Sequence, residues 1–224
     1  MDESGLRQVF ADKLVVCFSE LGRYYGTQHW WPANTPFEMA VGAVLTQHTS
    51  WSNAEKALQC LKIAQVLEPA RLAQLPLVEL QSLVRGSGTY RLKAVRLRAL
   101  ARWWLDRSEH HQDSGFTGLR TELLAVNGIG PETADCIALY AFARPRFVAD
   151  AYARRLLTRL GITPGDFDYE RTRCLVEEVV PADTGYLGEA HALIVTHAKV
   201  HCTVRPLCDG CPLAACCERI GVAC

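Results

Sequence analysis

Apolar residues recur every three or four positions along nearly the whole chain, and nowhere do they alternate with polar ones for long enough to nominate a strand. The pattern predicts an all-α protein. Leu6 to Tyr25 reads as an amphipathic first helix closed by Gly26, and after the loop Trp30-Trp31-Pro32 two more helices follow at Phe37 to Thr46 and Asn53 to Leu61. Pro69 and Pro76 stand in the first turns of short helices, where a missing amide hydrogen is harmless. Gly86-Ser87-Gly88 breaks the pattern before a long basic helix from Tyr90 to Asp106, and Ser108 to Gly115 forms a polar surface connection. Next come a short helix at Leu119 to Val126, a tight turn at Asn127-Gly128-Ile129-Gly130, and a helix from Pro131 to Phe142 with Glu132 in its first turn. A further helix starts at Asp150 and ends at Leu160-Gly161, and Tyr169 to Val180 and Leu187 to Val200 complete the set.

With 224 residues, 49% of them hydrophobic and 21% charged, the chain can bury one generous core or two small ones. No run approaches the roughly 20 apolar residues of a spanning helix. The polar start Met1-Asp2-Glu3-Ser4 also lacks the basic-then-apolar layout of a secretory signal, so a cytoplasmic protein without membrane attachment is expected. The formal net charge is zero, so any affinity for nucleic acid must be local. Arg85, Arg91, Lys93, Arg96, Arg98, Arg102 and Arg107 crowd one segment, Arg144, Arg146, Arg154, Arg155 and Arg159 another, and Asp166, Asp168, Glu170, Glu177 and Glu178 make a later stretch acidic. Such runs are either solvated helix faces or an electrostatic footprint.

Ten cysteines are many for a cytosolic protein. Cys17, Cys60, Cys136 and Cys174 stand singly in apolar helical pattern and read as small buried hydrophobes. The other six gather at the C-terminus, where Cys202, Cys208, Cys211 and then Cys216 or Cys217 are separated by five, two and four or five residues, with Cys224 beyond. Thiolates so close either pair as disulfides or converge on a metal centre, and a cytosolic location disfavours disulfides. Both zinc and a [4Fe–4S] cluster fit four thiolates, but a single Cys-x2-Cys with wider outer gaps suits the cubane better. His197 and His201 read as polar residues at a helix end.

Glycines at 128 and 130 let the backbone of the turn approach a neighbouring surface, with free amides aimed outward as at any helix start. Taken alone, this is a phosphate site or an ordinary interhelical turn. Its continuation is Asn127-Gly128-Ile129-Gly130-Pro131-Glu132-Thr133-Ala134, then Val148-Ala149-Asp150, Arg154-Arg155 and Arg159-Leu160-Gly161. This series resembles the helix-hairpin-helix and Gly/Pro-Asp signature of the endonuclease III superfamily of DNA glycosylases. Val44-Leu45-Thr46-Gln47-His48-Thr49 and Gly88-Thr89-Tyr90-Arg91-Leu92-Lys93-Ala94 are similar to two further family segments, so the resemblance covers most of the chain. Trp30-Trp31-Pro32 together with Gly130 to Asp135 is most similar to the 3-methyladenine glycosylases of that group.

The resemblance implies two helical subdomains, one over 27–140 carrying the hairpin and one over 1–26 plus 141–224 carrying a cluster loop at 202–217. A cleft between them would receive a flipped base. It implies a monomeric base-excision enzyme acting on double-stranded DNA that contains a damaged base, in the cytoplasm at the nucleoid. Asp150 falls on the catalytic aspartate, and Gln47 on the glutamine that enters the duplex. Thr89 and Tyr90 fall on the opposite-strand wedge. Asn127, Gly128, Ile129, Gly130, Glu132 and Thr133 would meet the DNA at the hairpin, and Lys199 and Arg205 would add phosphate contacts. Trp30, Trp31, Phe37 and Glu132 would line the base pocket, because stacked aromatic faces hold a flipped and preferably cationic base. The [4Fe–4S] ligands would be Cys202, Cys208, Cys211 and Cys217, the last selected by the family's final gap, although the first gap here is one residue shorter.

Two departures from the family pattern bear on the reaction. Bifunctional members carry a lysine two residues beyond the second hairpin glycine, whose amine attacks the sugar. Here that residue is Glu132, which cannot form an imine, so base hydrolysis without strand cleavage is expected. The adenine-specific branch has a glutamate where this chain has Ala43, which disfavours that substrate. The alternatives are a lyase using Lys199 and a DNA-binding module without chemistry.

Overall fold

The computed structural model describes residues 3–110 and 116–222. Eleven α-helices and one 3-10 turn make up its regular structure, with no strand among the described residues. The helices are α1 (Glu3–Tyr25), α2 (Pro36–Leu45), α3 (Trp51–Ile63), α4 (Pro69–Gln74), α5 (Leu77–Leu83) and α6 (Tyr90–His110). They continue as α7 (Phe116–Ala125), α8 (Pro131–Phe142), α9 (Ala151–Arg159), α10 (Tyr169–Val179) and α11 (Thr184–Val200). Their starts are set by local chemistry. The side chains of Thr35, Asp150, Asp168 and Asp183 accept from amides three residues on, at 3.1, 2.7, 2.8 and 2.7 Å, capping α2, α9, α10 and α11. Gly26 and Gly161 take the left-handed conformation just past the ends of α1 and α9.

The chain divides into two compact units, Met1–Trp30 with Pro145–Cys224 and Trp31–Arg144. In the first, α11 packs on α1 and α9, and α10 packs on α1. Leu14, Cys17, Phe18 and Leu21 form the inner stripe of α1, while Leu187, Ala190, Leu193 and Ile194 do the same for α11. These positions repeat at helical spacing, so each helix hides one face and leaves the other wet.

The second unit is built around α2. Every residue of α2 from Phe37 to Leu45 is buried, because α3, α6 and α8 cover it. A helix that is apolar on nearly all sides belongs in this central place, and its one charge, Glu38, is paired with Lys62 at 2.6 Å. Around it, α4 and α5 pack on α6, and α7 packs on α8. Each fully buried leucine here contributes about 1.5–3 kcal/mol relative to exposure. No helix among the described residues is long and apolar enough to cross a membrane.

The structure corrects several details of the sequence reading. Cys17 and Cys136 are buried, but Cys60 and Cys174 are exposed on the outer sides of α3 and α10 rather than in the cores. Residues 108–110 extend α6 instead of opening a connection, while 111–115 and Cys224 lie outside the described residues.

Beneath the hairpin turn, Arg120 of α7 donates through Nε and Nη2 to the two oxygens of Asp135 of α8, at 2.8 and 3.2 Å. Asp135 is 0% exposed and the Arg120 side chain 17%, so the pair holds the two helices at a largely buried point. Removing Arg120 would take from the buried carboxylate its bidentate donor. Arg120→Ala is expected to lower the unfolding free energy by about 3–5 kcal/mol. Arg71→Ala, which breaks the solvent-exposed pair with Glu68, should cost less than about 1 kcal/mol. Urea titrations of both variants measure the difference.

Candidate active site

Asp150 lies at the N-cap of α9 with 9% of its surface exposed. One carboxylate oxygen accepts from the Ala153 amide at 2.7 Å, and the other lies 3.6 Å from Nε2 of His191, a residue of α11 that is 4% exposed. One oxygen is thus held by the start of α9, and the other faces an imidazole. The cap and a catalytic role are compatible: the cap orients the group.

The far half of α9 grips the C-terminal loop. Arg155 donates to the carbonyl of Cys202 at 2.9 Å, and Arg159 donates to the carbonyls of Thr203 at 2.6 Å and Val204 at 3.0 Å. Arg159 also donates to the Cys202 sulfur at 3.3 Å. Gly161 is bare for a reason, since a Cβ there would fall 2.1 Å from the Glu218 carboxylate.

Cys202, Cys208, Cys211 and Cys217 line one cavity, together with Arg159, His197 and His201. Burial, followed by the other thiols, pushes the Cys217 thiol up, and burial likewise raises that of Cys211. Two thiols that resist ionisation on their own, Cys211 and Cys217, are what a bound cation would relieve. Cys216 does not join them; its sulfur lies 3.6 Å from that of Cys17 on α1. Among the described residues, no three metal-type ligands come together on a single point. His197 is not a surface residue at a helix end. It is 1% exposed, with Nδ1 3.1 Å from the Tyr25 hydroxyl and Nε2 3.8 Å from the Cys211 sulfur. Lys199 is exposed on the last turn of α11 with its ammonium 5.8 Å from the Trp30 ring, and Arg205 is exposed on the loop.

The second unit holds the hairpin, Gln47 and the 88–90 segment. Asn127 and Gly130 are exposed, Gly128 has a φ of 85°, and Ile129 is buried as the apolar anchor of the turn. Glu132 is exposed at the start of α8, and Thr133 is buried. Gln47 is held on both sides of its amide. Its nitrogen donates to the Gly128 carbonyl at 3.1 Å and to the Thr133 hydroxyl at 2.9 Å, and its oxygen accepts from Arg96 at 2.6 Å. Thr89 is exposed and Tyr90 half-buried at the start of α6.

Lys93, counted with the basic face in the sequence reading, is 0% exposed. Its ammonium donates to the Leu45 carbonyl at 2.8 Å and also to the Ser87 carbonyl. Burial, reinforced by Arg96, pulls Lys93 down to about 8.

Trp31 stands 5.3 Å from Trp51, edge to face, and 5.8 Å from Tyr140. Gly42 makes room for it, since a Cβ there would sit 3.3 Å from the indole nitrogen. Phe37 is 4% exposed and packs against Trp104 in the core, apart from this group. Trp30 belongs to the first unit and Trp31 to the second, so the chain passes between units within the tryptophan pair. Sequence reasoning missed His191 and Tyr140, and it counted Lys93 and Arg96 only as members of a basic run. His191 could have been found as a polar residue inside the apolar run Ala190 to Val195.

Each unit thus carries one candidate element, a capped, buried carboxylate in the first and a glycine turn locked to a glutamine in the second. The chain belongs to the HhH-GPD superfamily of base excision DNA repair proteins, whose family description matches residues 41–182. It is a DNA glycosylase of the endonuclease III-like group. A Methanocaldococcus jannaschii protein assigned as a DNA repair glycosylase is 41% identical over 87% of this chain and 90% of its own. Endonuclease III of Thermotoga maritima is 29% identical over 82% and 83%. Among solved structures, a trapped endonuclease III–DNA covalent intermediate superposes with a TM-score of 0.81 at 23% identity, over 93% of this chain and 96% of that one. A Helicobacter pylori 3-methyladenine DNA glycosylase bound to 1,N6-ethenoadenine gives 0.72 at 28% identity, over 84% and 97%.

The buried lysine carries a pH signature. Its unfolded form keeps the proton up to the ordinary lysine value of 10.5, whereas the folded form releases it near 8. The unfolded state therefore binds more protons between those values, and stability rises with pH across that window. Relative to Lys93→Met, the unmodified protein should gain stability from about pH 8 to pH 10.5 in paired denaturant titrations. A constant difference would contradict the assignment.

Proposed function

We propose that the chain is a monofunctional DNA glycosylase that hydrolyses the N-glycosidic bond of an alkylated, cationic purine flipped out of duplex DNA. The observation that carries the hydrolytic reading is Glu132, a carboxylate at the hairpin place where an imine-forming lysine would be required. Support for a cationic purine comes from the ring group Trp31, Trp51 and Tyr140, whose faces favour positive charge. The likeness to the 3-methyladenine glycosylase points the same way.

A cationic purine leaves as a neutral base, taking the electron pair of the broken C1′–N bond, so no acid is needed at the base. Positive charge then develops on the sugar. The Asp150 carboxylate stabilises that charge and accepts the proton of the water whose oxygen bonds to C1′. The hairpin from Asn127 to Gly130, in which the Ile129 amide is already donated to the Val126 carbonyl at 3.0 Å, would with Glu132 and Thr133 at the start of α8 bind and orient the backbone of the damaged strand. Gln47 and the Thr89–Tyr90 wedge would hold the duplex open, Lys199 and Arg205 would meet phosphate, and Trp30 and Trp31 would flank the base.

Cys202, Cys208, Cys211 and Cys217, which line one cavity, would hold a [4Fe–4S] cluster, and Cys216, beside Cys17, would stand apart from it. Such a group supplies a rigid pin for the loop that carries Arg205 and takes no part in the bond changes. The enzyme would act as a monomer on chromosomal DNA in the cytoplasm.

Duplexes bearing single lesions, incubated with the protein and then with alkali, test the reaction. Asp150→Asn is expected to slow excision by at least about 100-fold while duplex affinity stays within about threefold. Strand breaks without alkali, with borohydride-trapped adducts, would instead indicate a lyase and point to Lys199. For the metal, purified protein should be brown, with iron and sulfide. Cys217→Ser should lose most of both and Cys216→Ser should retain them, whereas colourless protein with stoichiometric zinc would refute the cubane.

A further inference from the structure

The glutamine at 47 is not free to choose how its amide faces. Arg96 can only donate, and the Gly128 carbonyl can only accept, so the Gln47 oxygen must face α6 and its nitrogen the hairpin. The Thr133 hydroxyl takes the second amide hydrogen. The Arg96 stem also lies against Gly128, where a Cβ would come within 2.2 Å of it. One turn earlier on the same side of α6, Lys93 joins the last carbonyl of α2 to the carbonyl of Ser87. Three separate loops, at 46–49, 86–89 and 127–130, are thus tied to the first two turns of one helix.

We propose that Arg96 is a positioning residue: its guanidinium fixes the Gln47 amide against the hairpin, so that the glutamine meets the duplex already oriented. This rests on the reading of Gln47 as the residue that enters the helix. Pre-ordering matters because an unrestrained glutamine otherwise loses side-chain entropy when it enters. Arg96 bears that restriction before DNA arrives. A second role for the same side chain, direct binding of a phosphate, makes different predictions and is separable by salt dependence.

The test uses the full chain and a duplex carrying a tetrahydrofuran abasic analogue beside a 2-aminopurine, whose fluorescence reports insertion of a side chain into the gap. Arg96→Met should lower the rate of the insertion signal about tenfold, and Gln47→Ala should lower it at least as much. The double variant should be no worse than Gln47→Ala alone, because Arg96 acts through Gln47. Arg96→Lys, whose ammonium is a donor of nearly the same reach, should keep the signal within about threefold of the original; this rescue also guards against mere misfolding of Arg96→Met.

Additive losses in the double variant would overturn the proposal. So would equal weakening of undamaged duplex by Arg96→Met and Arg96→Gln with a salt slope lower by about one, the signature of a phosphate contact. If Gln47→Ala alone leaves the signal intact, the reading of Gln47 falls and the proposal falls with it. If only the coupling is missing, the Gln47 reading survives.

Discussion

Lys93 places a positive charge where water does not reach, between the last carbonyl of α2 and the carbonyl of the turn that precedes α6. Helix ends leave carbonyls unsatisfied, and a buried one must find a donor. Here a single ammonium serves two chain segments that are 42 residues apart in sequence, from Leu45 to Ser87. The segments after those carbonyls, which begin with Thr46 and Gly88, inherit their places from that bond pair. Desolvating the amine opposes this arrangement, and the buried aliphatic surroundings of α2 and α6 offset it.

The first unit uses cations differently. Arg155 and Arg159 reach backbone carbonyls and a sulfur of the loop after α11, so α9 carries Asp150 at one end and a set of anchors at the other. Guanidinium suits this role because its fork satisfies several acceptors at fixed angles. The carboxylate is therefore positioned by a short rigid element held from both sides, by His191 near its start and by the cysteine loop near its end.

Much of this was legible in the chain. The turn at 127–130 and the Pro131 helix start follow from glycine and proline chemistry, and Asp150 as a cap follows from its place before Ala151. The buried lysine had a signal as well: Lys93 shares a helical stripe with Ala94, Leu97, Leu100 and Ala101, all fully buried. Its neighbours Arg91, Arg98 and Arg102 hid that signal by making the helix look uniformly solvated. Arg96 had no such marker, because its partner Gln47 comes from a different helix end and only the folded chain brings them together. Cys60 and Cys174 failed for the opposite reason: their neighbours are apolar, but each falls on the outward face of its helix. The family's final gap favoured Cys217 over Cys216, and only the folded chain shows Cys217 lining the cavity with Cys202, Cys208 and Cys211 while Cys216 lies beside Cys17.

The first unit is assembled from both ends of the described chain, whereas the second is one continuous stretch. On a ribosome the continuous stretch can close its core as soon as Arg144 has emerged. The apolar stripe of α1, made earliest, has to wait for α10 and α11, its partners in the native packing. Nascent α1 is thus a long amphipathic helix with an uncovered face for most of translation, the kind of segment that chaperones engage and that aggregates when synthesis outruns folding. Lys13, which pairs with Glu218 in the finished protein, can find that partner only after α2 to α11 have been made.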